Sequence, residues 1–252
     1  MVFASYIVFW FFALYGLNPL ASILLSTGIL FVIGYYLLRF VLNPSIEHPE
    51  HQLTSTVLIT YGLALLISNG ETIGWTGNYR SLETTFSLGN LYFGQFGIPI
   101  VNILVLVMAF AATFGVYYFL YRTDTGLAIQ ACTQDRDAAR LSGISFRKMA
   151  YLAFGISTAL AGTAGALFIL NHVVYPAVGL SLTVKGLTVI VFGGLGSMTG
   201  ALVGGLALGV IEAVATTVLP SSLQDVVAYV ILLIVLIVKP TGMFGKKFFF
   251  PK

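Results

Sequence analysis

The chain has 252 residues, of which 58% are hydrophobic and only 8% charged, whereas a water-soluble domain carries about 25% charged residues. With a mean hydropathy of +0.96, this excludes a soluble globular protein and points to an integral membrane protein. The net charge of +3 gives no indication of a nucleic-acid partner, and the single cysteine, Cys132, excludes an intrachain disulfide.

No charged residue precedes Arg39, unlike the basic start of a secretory signal. Residues 2–17 and 20–39 are apolar runs separated by Asn18-Pro19. Asn-Pro favours a turn, and the residue before proline is pushed out of the helical region, so the two runs form a helical hairpin. At 1.5 Å per residue the first run falls short of a hydrocarbon core of ~30 Å, and its start is expected to be missing. Residues 40–52 form a polar connector with two prolines, and 53–69 a third span. Residues 70–96 are a long polar loop in which Trp75, Tyr79, Tyr92 and Phe93 suit a membrane interface. A fourth span covers 97–121. Residues 122–148 follow as the only long charged segment, with Cys132 as a small residue in a loop helix.

The fifth span is 149–171. After a connector at 172–181 come a short apolar segment at 182–194, a glycine-rich break at 193–200 (GGLGSMTG), a span at 201–219, a turn at 220–224 and a last span at 225–238. A basic tail holds Lys239, Lys246, Lys247 and Lys252. The expected fold is all-α: one polytopic transmembrane helical bundle over residues 1–252, with about seven to eight spans.

Orientation follows from the bases, because Lys and Arg in short loops stay cytoplasmic. Counted alternately, ten of the twelve basic residues fall on one side: Arg39, the five of 122–148 and the four from Lys239 on. Arg80 stands alone on the other, and Lys185 lies within a hydrophobic segment. Both termini and the 122–148 segment are therefore expected in the cytoplasm of a cell in whose inner or plasma membrane the chain sits.

The interior is built for close packing. Gly155, Ala159, Gly162 and Ala166 share one face, and Gly196, Gly200 and Gly204 recur every fourth residue. Small residues at this spacing let helix backbones approach each other in lipid. The 193–200 break lacks the lysine of a phosphate loop. Broken helices at membrane depth are tolerated only where buried in protein or lining a cavity, which makes Gly193, Gly194 and Gly196 candidate walls of a translocation path. Lys185 and Glu212 are opposite charges on neighbouring apolar segments, expected to face the bundle interior and either pair structurally or serve substrate passage. His48, His51 and His172 show no metal-ligand spacing, and there is no serine–histidine pairing, HExxH or paired carboxylate within the membrane. No catalytic site, metal or cofactor is expected.

Within the charged segment, residues 135–144 read as a short helix. Asp135 is its N-cap, Asp137 is favourable near the positive helix end, and Gly143 suits the left-handed position after the last turn. Ala139 and Gly143, four apart, give it a bare face suited to docking. Asp137-Ala138-Ala139-x-x-x-Gly143 resembles the E-A-A-x-x-x-G coupling motif of ABC importer permeases. Thr123-x-x-Gly126-x-Ala128-Ile129-x-Ala131, Ala138-Ala139-Arg140-Leu141-x-Gly143-Ile144, Ala161-Gly162-x-Ala164-Gly165, Gly193-Gly194-Leu195-Gly196-Ser197 and Lys239-Pro240-x-Gly242-x-Phe244-Gly245 are similar, in this order, to the branched-chain amino acid ABC permeases.

The resemblance covers residues 97–252 well and 1–96 loosely. It implies an importer subunit that pairs with a second homologous permease; two cytoplasmic ATP-binding subunits dock on the coupling helices of the pair, here through Asp135, Asp137, Ala138, Ala139, Arg140 and Gly143, and an extracytoplasmic binding protein delivers the solute. The alternative is an ion-gradient-driven secondary transporter, for which Glu212 is the only clear mid-span acid. Asp124, Leu127 and Gln130 stand where the family usually carries bases. The family's first span, ending in an N-F-A-H-G-like stretch, has no counterpart here, and the chain is expected to lack it.

Overall fold

A computed structural model describes residues 1–42, 52–75, 77–82, 89–93, 96–218, 220, 224–239 and 241–245. The chain divides into two compact units, Met1–Pro176 and Ala177–Lys252.

In the first unit, α1 (Val2–Tyr15) and α2 (Pro19–Leu37) form the expected hairpin. Gly16 ends α1 at φ 60°, with its N–H on the Phe12 carbonyl. Asn18 Oδ1 then accepts the Leu20 N–H at 3.1 Å, with Pro19 at the first helical position, where its missing donor costs nothing. A π-helical turn, Leu38–Leu42, carries Arg39 out of α2. Helix α3 (Gln52–Trp75) runs past the expected end of its span at residue 69. Asn69 Nδ2 donates to the Leu65 carbonyl and Thr72 Oγ1 to that of Ser68, so polar groups that look like a loop are satisfied by the preceding turn.

Strands β1 (Asn90–Phe93) and β2 (Phe96–Pro99) pair antiparallel, Leu91 opposite Ile98 and Tyr92 opposite Gly97. This hairpin departs from an all-helical fold. Its aromatic and β-branched residues fit a pleated surface better than a helix. Tyr79 and Tyr92 are exposed, as interface residues would be, but Trp75 packs inward on Phe3 and Tyr6. Helix α4 (Ile100–Arg122) leads into two short helices, α5 (Asp124–Gln134) and α6 (Arg136–Leu141), and then α7 (Phe146–Asn171).

The tightest packing in this unit is α2 against α7. A Cβ on Gly155 would press on Phe31, one on Gly162 on Leu30, and one on Gly34 on the Thr158 side chain. Thr27 Oγ1 and Thr163 Oγ1 share a hydrogen bond of 2.9 Å, and Thr158 Oγ1 donates to the Leu30 carbonyl at 3.1 Å. Small residues and interhelical hydroxyls are the adhesive available in lipid, where no hydrophobic force acts between helices.

The second unit holds α8 (Val178–Gly193), α9 (Met198–Val218) and α10 (Gln224–Val238), with α8 packed on both others. Among the described residues five helices are long and apolar enough to cross a membrane, and α1, α8 and α10 are shorter apolar helices. The chain is a multi-pass membrane protein. The tail lysines at 246, 247 and 252 and the histidines at 48 and 51 lie outside the described residues.

Candidate functional site

The charged segment is more structured than a connector. Thr123 caps α5, its Oγ1 accepting the Gly126 N–H at 3.1 Å. Gly126 lies against the backbone of Phe119 and Leu120, where a side chain would not fit. The Gln130 amide donates to the Leu120 carbonyl. Thus α5 folds back on the end of α4, and the uncharged Gln130 ties the two together. Ile129 and Cys132 are buried beneath α5, as a small packed residue at 132 should be.

Asp135 then caps α6 with one carboxylate oxygen, Oδ1, accepting the N–H groups of Asp137 at 2.9 Å and Ala138 at 3.0 Å. At the other end Gly143 adopts φ 81°. Its N–H bonds the Arg140 carbonyl at 2.9 Å, and the Ile144 N–H bonds that of Ala139 at 3.0 Å, the paired closure that glycine permits at a helix end. The Arg136 guanidinium sits 3.6 Å over the Phe146 ring and fixes α6 to the first turn of α7. Arg140 and Asp137 make an exposed pair at 4.0 Å, a type that contributes little.

The bare face is not where the sequence suggested. Ala139 is buried, whereas Asp137, Ala138, Arg140 and Gly143 are exposed. The side chain that stands out is Leu141, 92% exposed. In the sequence Leu141 enters only as part of the family motif, because a six-residue helix is too short for periodicity to show which side is exposed.

In the second unit Lys185 and Glu212 meet as expected. Lys185 Nζ donates to Glu212 Oε2 at 3.3 Å and lies 3.2 Å from Oε1. A third residue joins them: Asp225 Oδ1 is 3.0 Å from Nζ, and its Oδ2 accepts the Ser181 hydroxyl at 2.6 Å. Ser181, Lys185 and Thr188 recur at helical spacing along one face of α8, and Thr188 Oγ1 reaches the Ala228 carbonyl of α10. The Lys185, Glu212 and Asp225 side chains are 23%, 13% and 46% exposed. One cation facing two carboxylates joins α8, α9 and α10 and leaves one negative charge in surplus. Asp225 lies in the first turn of the apolar helix α10, where an acid is favourable near the positive helix end and nothing in the neighbouring sequence points to Lys185.

The glycine-rich break turns back on itself. Gly193 and Gly200 touch backbone to backbone, and Gly204 lies over Gly193 and Val189. Gly194, at φ 103°, faces Phe244 and Gly245. The Met243 N–H bonds the Phe192 carbonyl at 2.9 Å, and the Phe244 N–H bonds that of Gly193 at 3.0 Å. What the absent side chains of Gly193 and Gly194 admit is therefore the chain's own backbone. Gly196 alone of the three stands in open space, at φ 80°.

The chain matches the family described as "Branched-chain amino acid transport system / permease component" over residues 1–236. The high-affinity branched-chain amino acid transport system permease protein BraD of Pseudomonas aeruginosa is 34% identical over 191 residues, 73% of this chain and 62% of that protein. The corresponding protein LivH of Salmonella typhimurium is 33% identical over 198 residues, 73% of this chain and 64% of that protein. A probable branched-chain amino acid transport permease protein LivH of Methanocaldococcus jannaschii is 26% identical over 96% of this chain and 79% of its own length. The chain thus spans 62% to 64% of the first two relatives. No solved structure matches it.

Proposed function

This chain belongs to the branched-chain amino acid transport system permease family, and on that premise we propose that it is the membrane subunit of an ATP-driven ABC importer. In this reading about seven to eight segments cross the bilayer, and both termini and residues 122–148 face the cytoplasm. A second homologous permease completes a path for branched-chain or related amino acids. An extracytoplasmic binding protein delivers the solute, and two cytoplasmic ATP-binding subunits hydrolyse ATP.

The observation that carries the coupling assignment is α6 with its exposed Leu141. Leaving a leucine in water rather than burying it costs about 1.5–3 kcal/mol. A short helix capped at both ends, pinned by Arg136 on Phe146, holds that leucine as a rigid knob for an apolar groove on an ATPase subunit. Asp135, Asp137, Ala138, Arg140 and Gly143 frame the knob, and Ala139 anchors it from beneath. Because α5 packs on both α4 and α7, movement of α6 with the ATPase passes to those spans. Lys185, Glu212 and Gly196, the one glycine of the break that stands in open space, are assigned to the wall of the path.

Leu141→Asp and Gly143→Val, in the full transporter reconstituted into proteoliposomes, should reach the membrane at wild-type levels. ATP-driven leucine uptake should fall at least about tenfold, a loss of ~1.4 kcal/mol of coupling. Undiminished uptake in both variants would refute the docking assignment. The surplus carboxylate beside Lys185 favours an ion-gradient-driven transporter as the second reading. Uptake that persists without the ATPase subunits and follows an imposed ion gradient would select it.

A further inference from the structure

The first unit contains a cleft of about 320 Å³ between α1, α2 and α3. Its walls are Ile7, Phe11, Leu14, Tyr15 and Ile29, with the indoles of Trp10 and Trp75. This is near the lower size limit of small-molecule sites, which run from about 300 to 1,000 Å³. Such a mainly apolar lining suits a compact aliphatic group.

Polar groups lie directly behind one wall. The Trp75 ring stacks flat on that of Tyr6, centroids 4.8 Å apart and 9° from parallel. Tyr6 is fully buried, and neither its hydroxyl nor the Trp10 Nε1–H has a hydrogen-bond partner among the described residues. One turn before Trp75 is Glu71, 5% exposed, with Tyr6 as an electrostatic neighbour. The Arg80 guanidinium lies 5.2 Å over Phe9 and 5.9 Å over Trp10. Two unpartnered donors, an acid and a guanidinium therefore gather at one end of an apolar cleft. A buried donor without a partner costs about 1–3 kcal/mol, so this arrangement is at a disadvantage until something fills it.

We propose that the cleft binds the free amino acid itself, as a zwitterion with a branched aliphatic side chain. The side chain occupies the space between Ile7, Phe11, Leu14 and Ile29. Glu71 takes the ammonium group. The Tyr6 hydroxyl, the Trp10 indole N–H and Arg80 take the carboxylate. The Trp75 ring separates the two halves, so in this state the apolar half is open and the polar half is closed, and entry of the head group requires the Trp75 ring to move. The assignment rests on the importer reading above and adds to it the substrate's contacts on this chain.

Trp10 and Trp75 are the two tryptophans of the sequence, so the emission of the full chain in nanodiscs reports on this cleft. L-leucine should produce a saturable change. 4-Methylpentanoate, lacking the ammonium, and isoamylamine, lacking the carboxylate, should require at least about tenfold higher concentrations. Tyr6→Phe and Glu71→Gln, which keep both indoles, should each raise the leucine half-saturation about tenfold or more. Tyr6→Phe removes an unpartnered hydroxyl, so its melting temperature without leucine should equal or exceed that of wild type.

A leucine response unchanged in both variants overturns the site, as does an equal response to all three probes, which would mark a lipid-like apolar groove. Absence of any leucine response from a chain whose full transporter still imports leucine on ATP also overturns the site while leaving the importer reading intact. Absence of that import refutes the importer reading and the site together.

Discussion

Replacement of Lys185 by methionine keeps the length of the side chain and removes its charge. Glu212 then loses its cationic partner in a mostly buried position between α8 and α9. Stranding one partner of a buried pair costs about 3–5 kcal/mol. Asp225 is different: it is half-exposed and keeps the Ser181 hydroxyl, so its loss resembles that of a surface pair, about 0–1 kcal/mol. The expected cost of Lys185→Met is therefore about 3 kcal/mol, nearly all from Glu212. The second-site variants separate the two acids. Lys185→Met with Glu212→Gln should return to within about 1 kcal/mol of wild type, because no buried charge is left unpaired. Lys185→Met with Asp225→Asn should recover little. The assay is the unfolding midpoint of the chain in mixed micelles titrated with SDS, followed by circular dichroism. A single variant within about 0.5 kcal/mol of wild type, the spread of ordinary surface substitutions, would refute the reasoning. So would a better rescue by Asp225→Asn than by Glu212→Gln.

Two further outcomes follow from local geometry. Gly34→Val places a side chain on Thr158 and should force α2 from α7 at a cost of about 1–3 kcal/mol, read as a lower unfolding midpoint that Thr158→Ala partly restores. Asp135→Ala removes the acceptor of two N–H groups and should loosen the start of α6 by about 1 kcal/mol. Amide exchange at Asp137 and Ala138 should then rise about fivefold, with the global midpoint unchanged.

Features set by neighbouring residues were legible in the sequence. The Asn18-Pro19 turn, the Asp135 cap and the left-handed Gly143 depend on a few adjacent positions, and all three occur where the residue types require them. The small-residue face of α7 was legible because its four-residue spacing is itself a packing rule. Features set by distant contacts were not. Nothing near Asp225 indicates that Lys185 will reach it. The burial of Ala139 and exposure of Leu141 depend on which side of a six-residue helix meets the rest of the unit. Gly193 and Gly194 looked like a cavity wall because the segment that fills their missing side chains lies at residues 241–245. Glu71 read as loop because the local hydropathy ends there, although its helix continues to Trp75.

That last segment also bears on the order in which the protein is made. The final carbonyls of a helix have no partner within it. For α8, those of Phe192 and Gly193 are taken by the N–H groups of Met243 and Phe244, which emerge from the ribosome after α9 and α10 have already been synthesised. Until then the carbonyls of Phe192 and Gly193 at the end of α8 lack these partners. Maturation of the second unit is thus completed from its downstream side, and a chain interrupted after residue 238 would carry all three helices yet lack the clasp that closes them.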